Sequence, residues 1–376
     1  MKKILLVIPS IEGGGAERVM LHLIDYLNAK GYPIRLVLFN DVVHYPESLP
    51  VNIEIRNLGK KSRFSFLKLI RGVAREIREY EPQVVLSSLY YANIVSTLAS
   101  IFTKKKFKLL LWEHNNPKSY LTAEKYSFIK IQLMKFTYKK ADVVITVSKV
   151  IKKIMEDNFN IPFCRAKAIY NPIPIEIIRE RSYEKVEHGF LNDPQNTVLI
   201  AVGRFNAQKR YDRLLGAFKL AHAVNNSMRL LILGQGSLEK DLKQLSVNLG
   251  LIDLVDFIGF KNNPYAWMKQ ADIFVLTSDY EGFPMVLLEA MACGIPIVSV
   301  DCPTGPDELI LSGENGLLVK MTAEAIASGI CALAGDKDMR ERFVSNGLST
   351  IEHFTYDKIF PEFEKLFSGT EGSEEK

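Results

Sequence analysis

Only four cysteines occur in 376 residues, Cys164, Cys293, Cys302 and Cys331, and no two form a CxxC pair. That scatter excludes a disulfide framework and a cysteine-held zinc site, and it suits a reducing cytosol. HExxH, P-loop and Ser-His-Asp signatures are missing too. No internal repeat or low-complexity tract appears before the polar end that starts at Ser368, which is expected to fray. The opening MKKILLVIPSIEGGG lacks what a signal peptide needs: its apolar run is short, holds Pro9 and meets Glu12 instead of a small-residue cleavage site. It reads as a buried first strand. Residues 82–103 lack charge over a length that could span a bilayer. Gln83, Ser87, Ser88, Asn93, Ser96, Thr97 and Ser100 interrupt them, so a strand over 84–88 followed by a helix over 91–102 fits better.

What is present is an ordinary globular balance, 47% apolar and 24% charged, in a chain long enough for two domains. The net charge of +5 is unevenly placed. Residues 1–180 hold 29 of the 48 Lys and Arg but 16 of the 43 Asp and Glu, a net of +13 against −8 for the rest. A basic half implies an anionic partner: nucleic acid, a membrane surface or a phosphorylated substrate.

Apolar strand-like runs alternate with helical periodicity. KKILLVIPS, YPIRLVLFN, QVVLSSL, KLLLWEH and DVVITVS read as strands in the first half. TVLIAVGR, RLLILGQG, VDFIGF, DIFVLTS, PIVSV and GLLV do so in the second. Helical patterns such as 16–30, 64–80 and 210–224 lie between them. Interleaving of this kind implies parallel sheets in two doubly wound, Rossmann-like α/β domains. The proline-punctuated IYNPIP at 169–174 marks the joint. The expected division is 1–172, a linker 173–196, a second domain 197–354, a final helix 355–367 and a disordered tail 368–376.

Three stretches carry chemistry. GGGAER at 13–18 follows the first strand and opens a helix, where glycine N–H groups and the helix dipole can meet an anion, although a plain tight turn would look the same. Neither it nor GQGSLE at 234–239 completes a GxGxxG, and no acidic residue ends the second strand, so a dinucleotide dehydrogenase is disfavoured. VGRFNAQKR at 202–210 ends a strand with Arg204 and Lys209, a fork and a point charge suited to a diphosphate. In DYEGFPMVLLEAMACGIPIVSV at 279–300, Glu281 sits in a turn after Thr277-Ser278, and Glu289 falls among Val286, Leu287, Leu288 and Met291. A carboxylate among leucines needs a partner: a salt bridge, an exposed face, or a ligand bearing hydroxyls.

The E-x7-E pair Glu281/Glu289, the upstream Gly203, Arg204 and Lys209, the GGxER-like start and GENGLLV at 313–319 together resemble the retaining glycosyltransferases of family 4, over nearly the whole chain. The segment DCPTGPDELI at 301–310 resembles a subgroup that builds bacterial surface polysaccharides or lipid-linked oligosaccharides. The resemblance implies the GT-B architecture, two Rossmann-like domains facing a cleft, with the last helix crossing back to the first domain. It implies a nucleotide-sugar donor, UDP being favoured, no metal, and an acceptor that is a glycan or a sugar on polyprenyl diphosphate. Arg204 and Lys209 would neutralise the diphosphate, Glu289 would bond the ribose, and Glu281 the sugar, with Gly282, the Phe283 and Met285 amides, Val286 and Phe260 beside them. Pro284 stands where glycine is commoner and has no N–H to offer. In the first domain Gly14 and Gly15 would face the diphosphate, His114 of WEHNN would approach the sugar, and Gly14, Glu17, Arg18 and Asn115 would contact the acceptor. His114 also admits a structural reading, and Glu17 and Arg18 a surface one.

Asp336-Lys337-Asp338 is the one Asp-x-Asp string, and it reads as a turn between helices and not as a metal ligand. No nucleophile stands out, so front-face displacement is expected. Basic faces (Lys68, Arg71, Arg75, Arg78; Lys130, Lys135, Lys139, Lys140) run beside apolar stripes (Phe64, Leu67, Ile70, Val73, Ile77; Phe128, Ile131, Leu133, Phe136) in 60–80 and 126–140. Such helices either rest on anionic lipid or pack on a core with solvated basic faces. Location is expected to be cytoplasmic, with or without a peripheral hold on the inner membrane face. No nucleic-acid-binding motif accompanies the charge. A nucleotide-sugar epimerase, a glycolipid-forming transferase of the same fold and an inactive nucleotide-sugar-binding subunit are the rival readings.

Overall fold

A computed structural model describes residues 1–11, 14–40, 53–60, 65–104, 106–118 and 127–368. Gly13, Phe64 and the tail beyond Ser368 fall outside the described residues. Two compact units emerge. One is Met1–Pro172 with Tyr356–Lys376, the other Ile173–Thr355.

Among the described residues the first unit has seven strands: β1 Ile4–Ile8, β2 Ile34–Leu38, β3 Glu54–Asn57, β4 Val84–Ser88, β5 Lys108–Glu113, β6 Val143–Thr146 and β7 Ala166–Ala168. They lie in the order β3-β2-β1-β4-β5-β6-β7, every pair parallel. Parallel sheets carry helices on both faces, so their inner strands are apolar throughout. All five residues of β1 are buried accordingly. The strand order reverses between β1 and β4, the place where open α/β sheets bind ligands at their carboxyl ends. The uncharged stretch resolves into β4 and the helix Tyr90–Ile101, and no described helix is long and apolar enough to cross a membrane.

The helix Tyr356–Ser368 belongs to the first unit and buries Ile359, Phe360, Phe363, Leu366 and Phe367. Its Glu364 accepts hydrogen bonds from Tyr26 Oη (2.7 Å) and Lys30 Nζ (2.9 Å). Phe363 packs against Trp112 of β5 at 4.7 Å between ring centroids. The helix Phe66–Tyr80 buries Ile70, Val73 and Ile77 but leaves Leu67 outside. It also buries Glu76, which pairs with Arg35 at 3.2 Å.

In the second unit the described strands are β8 Thr197–Val202, β9 Met228–Leu233, β10 Val255–Gly259, β11 Ile273–Leu276, β12 Ile297–Val300 and β13 Leu317–Val319, in the order β10-β9-β8-β11-β12-β13. Here the order reverses between β8 and β11. The core is built from Leu199, Phe205, Phe218, Leu230, Ile232, Val275 and Val298 with their neighbours. Residues 173–196, read as a linker, hold the helices Ile175–Ser182 and Gly189–Asn192. Asp336 caps the helix Lys337–Ile351, its Oδ1 accepting the Met339 N–H at 2.8 Å.

Candidate active site

Two loops meet at the carboxyl ends of β8 and β11. The first leaves β8 through Gly203 and Arg204, makes a single 3-10 turn over Ala207–Lys209 and enters the helix Tyr211–Val224. The Asn206 side chain caps that turn on the Lys209 N–H at 3.2 Å. Arg210 takes a left-handed φ of 50° and bonds Asp279 at 3.1 Å, while Arg213 bonds the same carboxylate at 2.6 Å. Thr277 Oγ1 donates to the Lys209 carbonyl at 2.9 Å. Together these bonds fix the loop after β11 against the loop after β8.

Two of the side chains singled out by the sequence, Lys209 and Glu281, meet inside that frame. Lys209 Nζ donates to Glu281 Oε1 at 2.7 Å, and Ser278 Oγ donates to the same oxygen at 2.6 Å. Glu281 is only 6% exposed. Its backbone carbonyl accepts from Thr304 Oγ1, a residue held at φ 70°. The next residue, Gly305, lies at φ 100°, and a Cβ there would meet Pro284 Cδ at 2.5 Å. Thr304 and Gly305, within the segment 301–310, therefore brace the turn that carries Glu281. Burial, with the Glu281 charge nearby, pushes the Cys302 thiol up to about 12.

Arg204 is exposed, and its guanidinium makes no hydrogen bond or ion pair with the described residues. Glu289 is the fifth residue of the helix Met285–Cys293 and is 6% exposed. Cys293 is pushed up to about 12, by burial first and then by the Glu289 charge. Gly282 and Phe283 are buried, the Phe283 ring packing on Phe354 at 5.7 Å. Met285 and Val286 are half-buried, and Phe260 stands exposed just beyond β10. The Met285 N–H donates to the Phe283 carbonyl at 2.9 Å, a three-residue turn centred on Pro284 at the helix start.

The GQG sequence, incomplete as a dinucleotide fingerprint, has a steric purpose. A Cβ on Gly234 (φ 143°) would lie 1.9 Å from the Gly203 carbonyl oxygen, and one on Gly236 would lie 2.4 Å from that of Phe205. Only glycine lets the β9 loop run this close beneath the Gly203–Phe205 backbone.

In the first unit, Gly14 caps the helix Gly15–Ala29, and Glu17 Oε2 accepts the Gly14 N–H at 2.5 Å. The helix end expected to receive a diphosphate thus holds the chain's own carboxylate, a capping arrangement. Arg18 lies one turn before His22 and, after burial, helps lower that ring to about 4. His114 follows β5, is 6% exposed, and lies against Trp112 at 4.5 Å between ring centroids. Its Nε2 is 2.9 Å from Ser88 Oγ, while its buried Nδ1 has no hydrogen-bond partner among the described residues. Burial lowers the ring to about 3, so it is neutral. Asn115 is exposed, its N–H reaching Glu113 Oε1 at 3.3 Å.

Sequence reading missed Glu113. It is fully buried, accepts a hydrogen bond from Tyr138 Oη at 2.7 Å, and is raised to about 7 by burial against the opposing pull of that bond and of backbone N–H groups. Its only signal was a carboxylate at the end of an apolar strand. Among the described residues no three His, Cys, Asp or Glu side chains gather as ion ligands.

Comparison with known proteins now bears on this frame. Residues 13–177 match the family described as Glycosyltransferase Family 4, and residues 184–350 match Glycosyl transferases group 1. An uncharacterized glycosyltransferase of Methanocaldococcus jannaschii is 30% identical over 306 residues, covering 76% of this chain and 74% of that one. The chain belongs to the glycosyltransferases. A Campylobacter jejuni relative is 29% identical over 96% of this glycosyltransferase and 97% of its own length. It is named N-acetylgalactosamine-N,N'-diacetylbacillosaminyl-diphospho-undecaprenol 4-alpha-N-acetylgalactosaminyltransferase. The Anabaena protein HepE, solved in complex with UDP and glucose, superposes with a TM-score of 0.82 at 20% identity, covering 98% of this chain and all of that one. The fold is therefore GT-B, with two α/β domains.

Proposed function

We propose that this glycosyltransferase moves a hexose or N-acetylhexosamine from a UDP-sugar to a glycan or a polyprenyl-diphosphate-linked sugar, with retention at the anomeric carbon, in surface polysaccharide or lipid-linked oligosaccharide synthesis. The observation that carries it is the buried Lys209–Glu281 pair beside the unpaired Arg204, at the switch point of the second sheet. The Campylobacter relative's named acceptor and the UDP and glucose of the HepE complex agree with it.

Arg204 meets the donor diphosphate first, as a free fork. Lys209 joins it by turning from Glu281 toward the phosphate, and Glu281 then accepts hydroxyl protons of the sugar. Glu289 bonds the ribose, and His114 contacts the bound donor. The two cations stabilise the charge that grows on the leaving diphosphate, so no metal is needed. With no nucleophile assigned, the acceptor hydroxyl attacks from the face the leaving group vacates. The basic helices of the first unit hold an anionic lipid surface. Phe128, Ile129 and Phe136 are exposed on the helix Ser127–Tyr138, and Lys140 lies over the Phe136 ring at its far end.

A melting assay with UDP-, GDP- and ADP-sugars, with and without EDTA, tests the donor. A ligand at 100 times its dissociation constant stabilises by about 2.7 kcal/mol, a shift of a few degrees. A UDP-sugar shift that survives EDTA is expected. No shift with any nucleotide sugar defeats the reading, and inverted anomeric configuration in the product defeats retention.

A further inference from the structure

His114 follows Glu113, the last residue of β5, and Ser88 is the last of β4. In the parallel register Ser88 stands opposite Trp112, so Ser88, Trp112 and His114 share one face while Ser87 and Glu113 point to the other. Ser96 Oγ bonds Ser87, and Tyr138 bonds Glu113, on that opposite face.

Ser88 is fully buried, and among the described residues its hydroxyl has one hydrogen-bond partner, His114 Nε2 at 2.9 Å. A hydroxyl has one proton to place, and a buried one left unplaced is costly. With no other acceptor, Ser88 gives its proton to Nε2, which must then be the bare nitrogen. In a neutral ring the remaining hydrogen sits on Nδ1. That nitrogen is the one with no partner, in a side chain 94% buried by its 6% exposure. A buried N–H of this kind asks for an oxygen acceptor from a ligand.

The backbone at Ser88 is also held under constraint. Leu89, the next residue, has φ 75° and ψ 143°, a region bulky residues avoid. Its N–H bonds the Trp112 carbonyl at 3.1 Å, and Asn93 Nδ2 bonds the same carbonyl at 3.0 Å. These bonds fix the end of β4 to β5 and set the Ser88 hydroxyl against the imidazole.

We propose that Ser88 is a positioning residue which fixes His114 as the Nδ1–H tautomer, so that its free nitrogen donates to a hydroxyl or phosphate oxygen of the bound sugar nucleotide. The proposal rests on the reading that His114 contacts the donor. The tautomer itself is measurable without turnover.

Nitrogen-15 NMR of selectively labelled histidine separates the two tautomers, and with six histidines the His114 signals follow from comparison with His114→Gln. The expected spectrum has a protonated Nδ1 and a bare Nε2. Ser88→Ala should mix the tautomers and lower kcat/KM for the donor about fivefold to tenfold, the worth of one hydrogen bond, with acceptor KM unchanged. Ser88→Thr, which keeps the hydroxyl, should restore both. A protonated Nε2 in the wild type, or an unaltered tautomer in Ser88→Ala, overturns the proposal. Full activity in His114→Gln with the tautomer as expected would instead remove His114 from the donor site.

Discussion

Lys209 and Glu281 are joined at 2.7 Å across 72 positions of sequence, with Ser278 on the same carboxylate oxygen. Both charges are largely shielded from water, the side chains being 17% and 8% exposed. The site therefore neutralises itself while waiting. On the proposed function, a diphosphate would draw Lys209 away and so free Glu281 to accept from a sugar.

Removing one partner leaves the other charge stranded. Glu281→Ala should cost stability on the order of 3 kcal/mol and lower kcat/KM about a hundredfold or more. The double variant Lys209→Met/Glu281→Gln should regain much of the stability and none of the turnover. Melting temperature and turnover measured on the same preparations decide it. Recovery of turnover in the double variant would show that the pair is only structural.

Gly234→Ala tests the close backbone approach. A Cβ 1.9 Å from the Gly203 oxygen must move the loop that presents Arg204 and Lys209, at a φ that disfavours alanine in any case. A loss above about 3 kcal/mol is expected, with donor binding reduced in whatever folds. Gly250→Ala is the control. It also sits at positive φ, 74°, but nothing lies within 4 Å of its would-be Cβ. Urea unfolding of both variants gives the comparison, and equal losses would mean that the φ, not the contact, matters.

The sheets were legible because apolar runs such as ILLVI and MRLLIL bury both faces, and the strand over 84–88 was bounded correctly. Glu281, Lys209 and Arg204 were legible as a motif at strand ends. Their pairing was not, since no local period links residue 209 to residue 281. Glu17 also bonds the Gly14 N–H, three residues back, a capping-box spacing that the sequence could have shown. Ser88 and Glu113 were hidden for a different reason. They lie in strands whose neighbours are read only from topology, so a serine under a histidine or a tyrosine over a glutamate leaves no mark in one sequence.

The basic helix of the first unit gives a further test. Phe128 is 71% exposed and Ile129 64%, near the start of the helix Ser127–Tyr138, after which the exposed Lys139 and Lys140 follow. Anionic vesicles should float the protein, and added salt should release it, since each lysine near such a surface contributes about 1 kcal/mol. Lys139→Glu/Lys140→Glu should abolish flotation while Phe128→Ser weakens it. Binding to neutral and anionic vesicles alike would exclude the electrostatic part.

Glu113 makes stability depend on pH in a defined sense. Its folded value of about 7 lies above the ordinary 4.5. Between those values the folded chain keeps a proton that the unfolded chain has released, so this group's stabilisation is complete below 4.5 and is lost as pH rises through 7. The span corresponds to about 3 kcal/mol. His114 works the other way, gaining stability between about 3 and 6.5 because its folded ring refuses the proton. Glu113→Gln keeps the histidine and removes the carboxyl, so the difference between the two proteins isolates Glu113. Urea unfolding at pH 5 and pH 8 should show the wild type losing most of that amount relative to Glu113→Gln. An equal difference at both values would mean that Tyr138 and the backbone N–H groups hold Glu113 ionised throughout, and that the strand beneath His114 carries a permanent negative charge.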